Sequence, residues 1–225
     1  MNFDLMFALP GQSEAGWLQD LQEALSLEPE HISTYCLTFE EDTKLWVKLA
    51  KGQIKRDVEL EADFYLRTWE TLEAAGYPQY EVSNFARPGH ACIHNCDTWR
   101  MESWHGFGPS GSSQYQRKRF TNVHDLVGWR EAALAGKTCW IDEMDLSSSI
   151  EATDSLVFGL RMNAGVDIRR LRQRFSAVDW QGWDALAPAL TAEGLLEEAG
   201  ESVVRLTNSG RLVADQIGVA ILEAF

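Results

Sequence analysis

"NFDLMFALPGQS", residues 2–13, is the stretch on which the fold turns. A short apolar run, Phe3 to Phe7, breaks at Pro10-Gly11 and hands over to Ser13, a residue suited to cap a helix. Trp17, Leu18, Leu21, Ala24 and Leu25 then recur at helical spacing. Outward from this strand, turn and helix the same grammar repeats. "HISTYCLTF" (31–39), rich in β-branched and aromatic residues, reads as a second strand. After a loop, a second helix carries Ala62, Tyr65, Trp69 and Leu72 on one face and stops at Gly76, and "PQYEVSNF" (78–85) fits a third strand.

Strands alternating with amphipathic helices imply βαβ units, hence parallel strands, right-handed crossovers and functional groups at the C-terminal strand ends. Those ends are the loops Leu9 to Ser13, Thr38 to Thr43 and Asn84 to Trp99. A Gly-rich segment, "HGFGPSGSS" (105–113), has room for another strand, and "RKRFTNV" (117–123) leads into a helix over Asp125 to Ala135. From about Ser147 the order becomes helix, helix, helix, short hairpin and closing helix, the order of a winged-helix-like domain. The expected class is α/β: residues 1–147 a partial (β/α) barrel with a Gly-rich extension, residues 148–225 a small winged-helix-like α+β domain.

In 225 residues, 45% are apolar and nine are tryptophan, enough volume for a substantial core. Thirty-four acidic against twenty basic residues leave a net charge of −14, which disfavours nucleic acid or an anionic membrane as main partner. The basic runs Arg117 to Arg119 and Arg169 to Arg174 read as solvated faces. A nucleic-acid surface built on Arg169, Arg170, Arg172 and Arg174 is the weaker reading. No run approaches the roughly 20 apolar residues of a membrane helix, and the N-terminus lacks a signal-peptide pattern, so a cytoplasmic protein with no integral membrane segment is expected. Cys36, Cys92, Cys96 and Cys139 are too sparse and irregular for a disulfide framework, and reduced thiols are the expectation.

The densest chemistry is "GHACIHNCDTW" (89–99), with His90, Cys92, His94 and Cys96 at alternate positions. If extended, His90 and Cys96 would stand about 20 Å apart, too far for one tetrahedral ion. Zinc sites add a second ligand pair, which is missing here. Cys92-x3-Cys96 is half of the Cys-x3-Cys-x2-Cys spacing that holds a radical-generating [4Fe–4S] cluster, but the third position is Trp99, so no metal site is expected. Heme needs only an axial imidazole, apolar surface and cations, which His94, Trp99 and Arg100 offer. A plain polar loop remains open beside it.

"DLMFALPGQS", "EPEHISTYCLTFEEDTKL", "GYPQYEVSNFARPGHACIHNCDTWR" and "GFGPSGSS" resemble, in that order, segments of the HemW-type radical SAM proteins, relatives of oxygen-independent coproporphyrinogen III oxidase, and "LTNSGRLVADQI" is similar to the family's end. The resemblance omits the family's N-terminal cluster-binding part, which suggests a truncation or a separate N-terminal half and a chain inactive as an enzyme alone. It implies that Asp4 lies near S-adenosylmethionine, with Thr38, Gly106, Gly108 and Ser112 as further contacts. It also implies that His94, Asn95 and Trp99 match a heme-binding "H-N-x-x-Y-W" motif, with Thr98 in place of the tyrosine; Ala8 likewise replaces the glycine before Leu9-Pro10. The expected function is heme binding and transfer to an acceptor protein, in a family holding a [4Fe–4S] cluster and S-adenosylmethionine. The alternative is a coproporphyrinogen III oxidase-like enzyme of porphyrin biosynthesis.

Overall fold

Alternation sets the first sheet. In the computed structural model, which describes residues 1–225, β1 (Asn2–Phe7) turns Phe3, Leu5 and Phe7 to one face and Asn2, Asp4 and Met6 to the other. Ser13 Oγ accepts the Gly16 N–H at 3.1 Å and so caps α1 (Glu14–Ser26), which buries Trp17, Leu21 and Ala24. The chain returns through β2 (His31–Cys36), parallel to β1 from Asn2↔His31 to Phe7↔Cys36. Two helices follow, α2 (Lys44–Ala50) and α3 (Val58–Ala74). The first of them falls where the sequence reads as loop. It buries nothing, so its apolar spacing is faint, and Thr43 Oγ1 caps it by accepting the Trp46 N–H.

The buried side of α3 is Glu61, Phe64, Thr68, Trp69 and Leu72, which keeps Trp69 and Leu72 of the expected face and moves Ala62 and Tyr65 to its margin. Phe7 meets Trp17, Phe64 and Tyr65 at ring-centroid distances of 5.4, 6.0 and 4.8 Å. Each fully buried large apolar side chain there contributes about 2 kcal/mol. Trp17 Nε1–H donates to Thr68 Oγ1 at 2.8 Å, so its one polar atom is satisfied in the core.

"PQYEVSNF" is not one strand but a tight hairpin, β3 (Gln79–Glu81) and β4 (Asn84–Ala86). The sheet order is β1-β2-β4-β3, with β4 antiparallel to both neighbours. The expected parallel pairing therefore holds for β1 and β2 only. α3 does return the chain in the same direction as β2, but a two-residue connection permits only an antiparallel partner, and β4 slots in between.

These elements form one compact unit, Met1–Cys92, and Ile93–Phe225 forms a second. The second opens with α4 (Ile93–Trp99), so the expected loop Asn84 to Trp99 holds a strand and a helix. β5 (Ser112–Tyr115), β6 (Lys118–Asn122) and β7 (Trp140–Asp145) make an antiparallel sheet, with α5 (Leu126–Leu134) between the last two, capped by Asp125. Then come α6 (Ser148–Gly159), β8 (Val166–Asp167), α7 (Ile168–Arg174), α8 (Gln181–Ala192), β9 (Leu196–Glu198), β10 (Val203–Leu206), α9 (Asn208–Leu212) and α10 (Ala214–Ala224). The three helices and hairpin appear in the expected order; β8 joins the hairpin in a sheet ordered β8-β10-β9, and the closing helix is broken at Val213. Leu156, Leu160, Phe175, Trp183, Leu196, Ile217 and Ile221 centre the core of this part.

Candidate functional site

Ala8, directly after β1, adopts a left-handed backbone with φ 58°. The turn beyond it is closed by Gln12, whose N–H donates to Leu9 O at 2.9 Å and whose Oε1 accepts the Leu9 N–H at 3.2 Å. A cavity of about 190 Å³ opens there, lined by Ala8, Leu9, Phe39, Arg56 and Glu61 among others. Arg56 grips the buried Glu61 carboxylate through Nε and Nη2 at 2.7 to 3.0 Å, which compensates its desolvation. Burial, helped by Glu61, pushes the Cys36 thiol up to about 11, so it is no thiolate at neutral pH.

Asp4 is exposed on the polar face of the first sheet. Its Oδ1 accepts from Asn2 Nδ2 at 3.0 Å, and Oδ2 has no protein partner. Thr38 is exposed just past β2. The register Asp4↔Ser33↔Asn84↔Glu81 runs a polar row across all four strands, and Asn84 Nδ2 donates to Glu81. Sequence reading missed Ser33, Asn84, Glu81 and His31. The signal was available: in "HISTYC", His31, Ser33 and Tyr35 alternate with Ile32, Thr34 and Cys36, the period of a strand with one polar face.

In the second unit α4 carries the candidate heme motif. His94 is exposed on its first turn and its ring meets no protein partner. Its carbonyl accepts Thr98 Oγ1–H at 2.8 Å. Asn95 and Trp99, four residues apart, share a face; His94 stands about 140° around the helix from Trp99. The Trp99 ring packs on Phe158 at 5.8 Å and lies under the Arg161 guanidinium at 5.2 Å, so it is engaged with α6. The helix ends at Met101, whose φ of 58° and the bonds Met101 N–H to Thr98 O and Glu102 N–H to Asp97 O make a Schellman stop.

Gly106, Gly108 and Ser112 lie in the Gly-rich loop. A Cβ on Gly106 would fall 2.3 Å from Ser112 O, so the loop's own folding demands glycine there, as does the φ of 83° at Gly108. Asn122, missed in the sequence, clamps the loop by donating from Nδ2 to Gly108 O at 2.9 Å. Asp4 and Thr38 thus belong to the first unit, and the three loop residues to the second. No three or more His, Cys, Asp or Glu side chains are grouped to hold a metal ion. With Cys36 protonated and Cys96 buried in α4, these thiols do not fit a [4Fe–4S] cluster.

Residues 150–213 match the HemN C-terminal domain family. The heme chaperone HemW of Bacillus subtilis (strain 168) is 30% identical over 99% of this chain and 59% of the relative. A heme chaperone HemW of Synechocystis is 37% identical over 73% of the chain and 41% of the relative. The mitochondrial radical S-adenosyl methionine domain-containing protein 1 of Danio rerio is 33% identical over 74% and 39%. The chain spans about half the length of the curated relatives it matches. The solved structure of coproporphyrinogen III oxidase (HemN) from Escherichia coli, a radical SAM enzyme, shares the fold with a TM-score of 0.75 at 19% identity, over 98% of this chain and 54% of that one. Kinship along nearly the whole sequence, a HemN-type C-terminal domain and this common fold together place the chain in the HemW/HemN-like family of radical SAM proteins.

Proposed function

We propose that this chain binds heme and passes it to an acceptor protein, with His94 as axial ligand, Asn95 as a neighbouring contact on α4, and Trp99 bracing that helix from its far side. The observation that carries the reading is the exposed His94 imidazole on α4, which no protein group engages. A heme edge at that helix also has Arg100 beside it for the propionates. Similarity to proteins named heme chaperone supports this branch over the oxidase.

Asp4 and Thr38 in the first unit are proposed S-adenosylmethionine contacts, Asp4 Oδ2 offering an acceptor without a rival. A [4Fe–4S] cluster of the family kind needs thiolates beyond the four in this chain, from a further segment or a separate N-terminal half. We place the start of the winged-helix-like domain at residue 148 and the protein in the cytoplasm, where a heme acceptor would be met. Hemin titration followed at the Soret band tests the reading. Wild type is expected to bind, and His94→Ala to lose affinity by about tenfold at the least, the cost of losing even an outer-shell partner of a metal. Equal spectra and affinity would remove His94 from the site.

A further inference from the structure

An ionised carboxylate only accepts hydrogen bonds. The group 3.0 Å from Asp4 Oδ1 must therefore be the Nδ2 amide of Asn2, which turns Asn2 Oδ1 toward His31 Nδ1 at 2.6 Å. An amide oxygen cannot donate, so His31 Nδ1 carries the proton.

The other end is consistent with this tautomer. The Cys92 peptide N–H can only donate, and it donates to Tyr80 Oη at 3.2 Å. Tyr80 O–H is then directed at His31 Nε2, 2.8 Å away, which a neutral Nδ1–H imidazole leaves as an acceptor. His31 is 9% exposed. Burial holds its pKa below the ordinary histidine value against the pull of Asp4, which keeps the ring neutral.

We propose that His31 is a positioning residue: it sets the Asp4 carboxylate through Asn2 and ties it, through Tyr80, to the Cys92 peptide that leads into the helix bearing His94. Every link in the chain has one direction. Asp4 Oδ1 is occupied and Oδ2 is left for a ligand donor, so reversing the His31 tautomer would release Asn2 and let the carboxylate turn. The functional consequence rests on Asp4 being a contact for S-adenosylmethionine; the directed chain itself does not.

Long-range ¹H–¹⁵N NMR of the full chain reads the tautomer without any ligand, with His31 assigned among five histidines by its loss in His31→Asn. Wild type is expected as Nδ1–H near neutral pH. Asp4→Asn, which can present either an oxygen or a nitrogen to Asn2, is expected to shift His31 toward a mixture with Nε2–H. Tyr80→Phe is expected to speed amide exchange at Cys92 about tenfold. An Nε2–H or imidazolium ring in wild type, or an Asp4→Asn spectrum identical to wild type, would overturn the proposal.

S-adenosylmethionine titration adds the functional arm. Affinity is expected to fall about tenfold in His31→Gln and to survive in His31→Asn, whose amide nitrogen stands where Nδ1 stood. Equal loss in both contradicts the positioning role. Absence of binding by wild type sinks the Asp4 ligand reading, and the tautomer still decides the role of His31.

Discussion

At Ala8 a Cβ is forced into left-handed backbone, φ 58°, where the family resemblance has glycine. For a non-glycine residue this costs about 1–2 kcal/mol. Ala8→Gly should therefore stabilise the first unit by about 1 kcal/mol net of the entropy glycine adds to the unfolded chain, measured by urea unfolding; a loss of stability would mean that the methyl group makes a compensating contact. His31 makes a second residue-scale prediction. Its folded pKa is lowered, chiefly by burial, so the unfolded chain binds the proton more readily. Its contribution to stability is complete above the ordinary histidine value of about 6.5 and is lost as pH falls below it. Wild type should lose stability more steeply than His31→Asn as pH falls below about 6.5. Parallel profiles in the two proteins would contradict this.

At the scale of elements, the legible ones were those with strong period and clear caps: β1, α1 behind Ser13, β2, and α5 behind Asp125. α4 was not legible, because Ile, His, Asn, Thr and Trp are indifferent helix formers; it forms through the packing of Cys96 and Trp99. β7, "WIDEMD", hides for the opposite reason. Asp and Glu are poor strand residues, but Lys118 on β6 pairs with Glu143 and Asp145, and Asp142 at φ 54° absorbs a bulge in the register. Candidate site residues were legible by resemblance, whereas the polar row through Ser33, Asn84 and Glu81 needed cross-strand register, which sequence does not carry. Trp99→Ala should destabilise the second unit by about 2 kcal/mol, below the 3–5 of a fully buried aromatic because the ring is partly exposed. Near-UV circular dichroism during thermal unfolding measures it, and an unchanged midpoint would show that the ring does not hold α4.

Across the whole molecule, charge is spent locally. Arg117 pairs with Glu151 at 3.0 Å, Arg119 with Asp154 at 2.7 Å, and Arg172 with Asp184, so much of both basic runs is matched by carboxylates within the second unit. The first sheet leaves β1 at an edge, with Met6 49% exposed on it. An unpaired edge of this kind recruits another strand. Self-association rising with concentration is expected in sedimentation, reduced in Met6→Lys; a clean monomer at high concentration would contradict it. No helix is long and apolar enough to cross a membrane. Ligand rescue tests the proposed heme site at His94 most directly. The hemin complex of His94→Gly should lose the wild-type Soret position and regain it on adding free imidazole, whereas a Gly variant with the wild-type spectrum from the outset would show that the iron is held elsewhere.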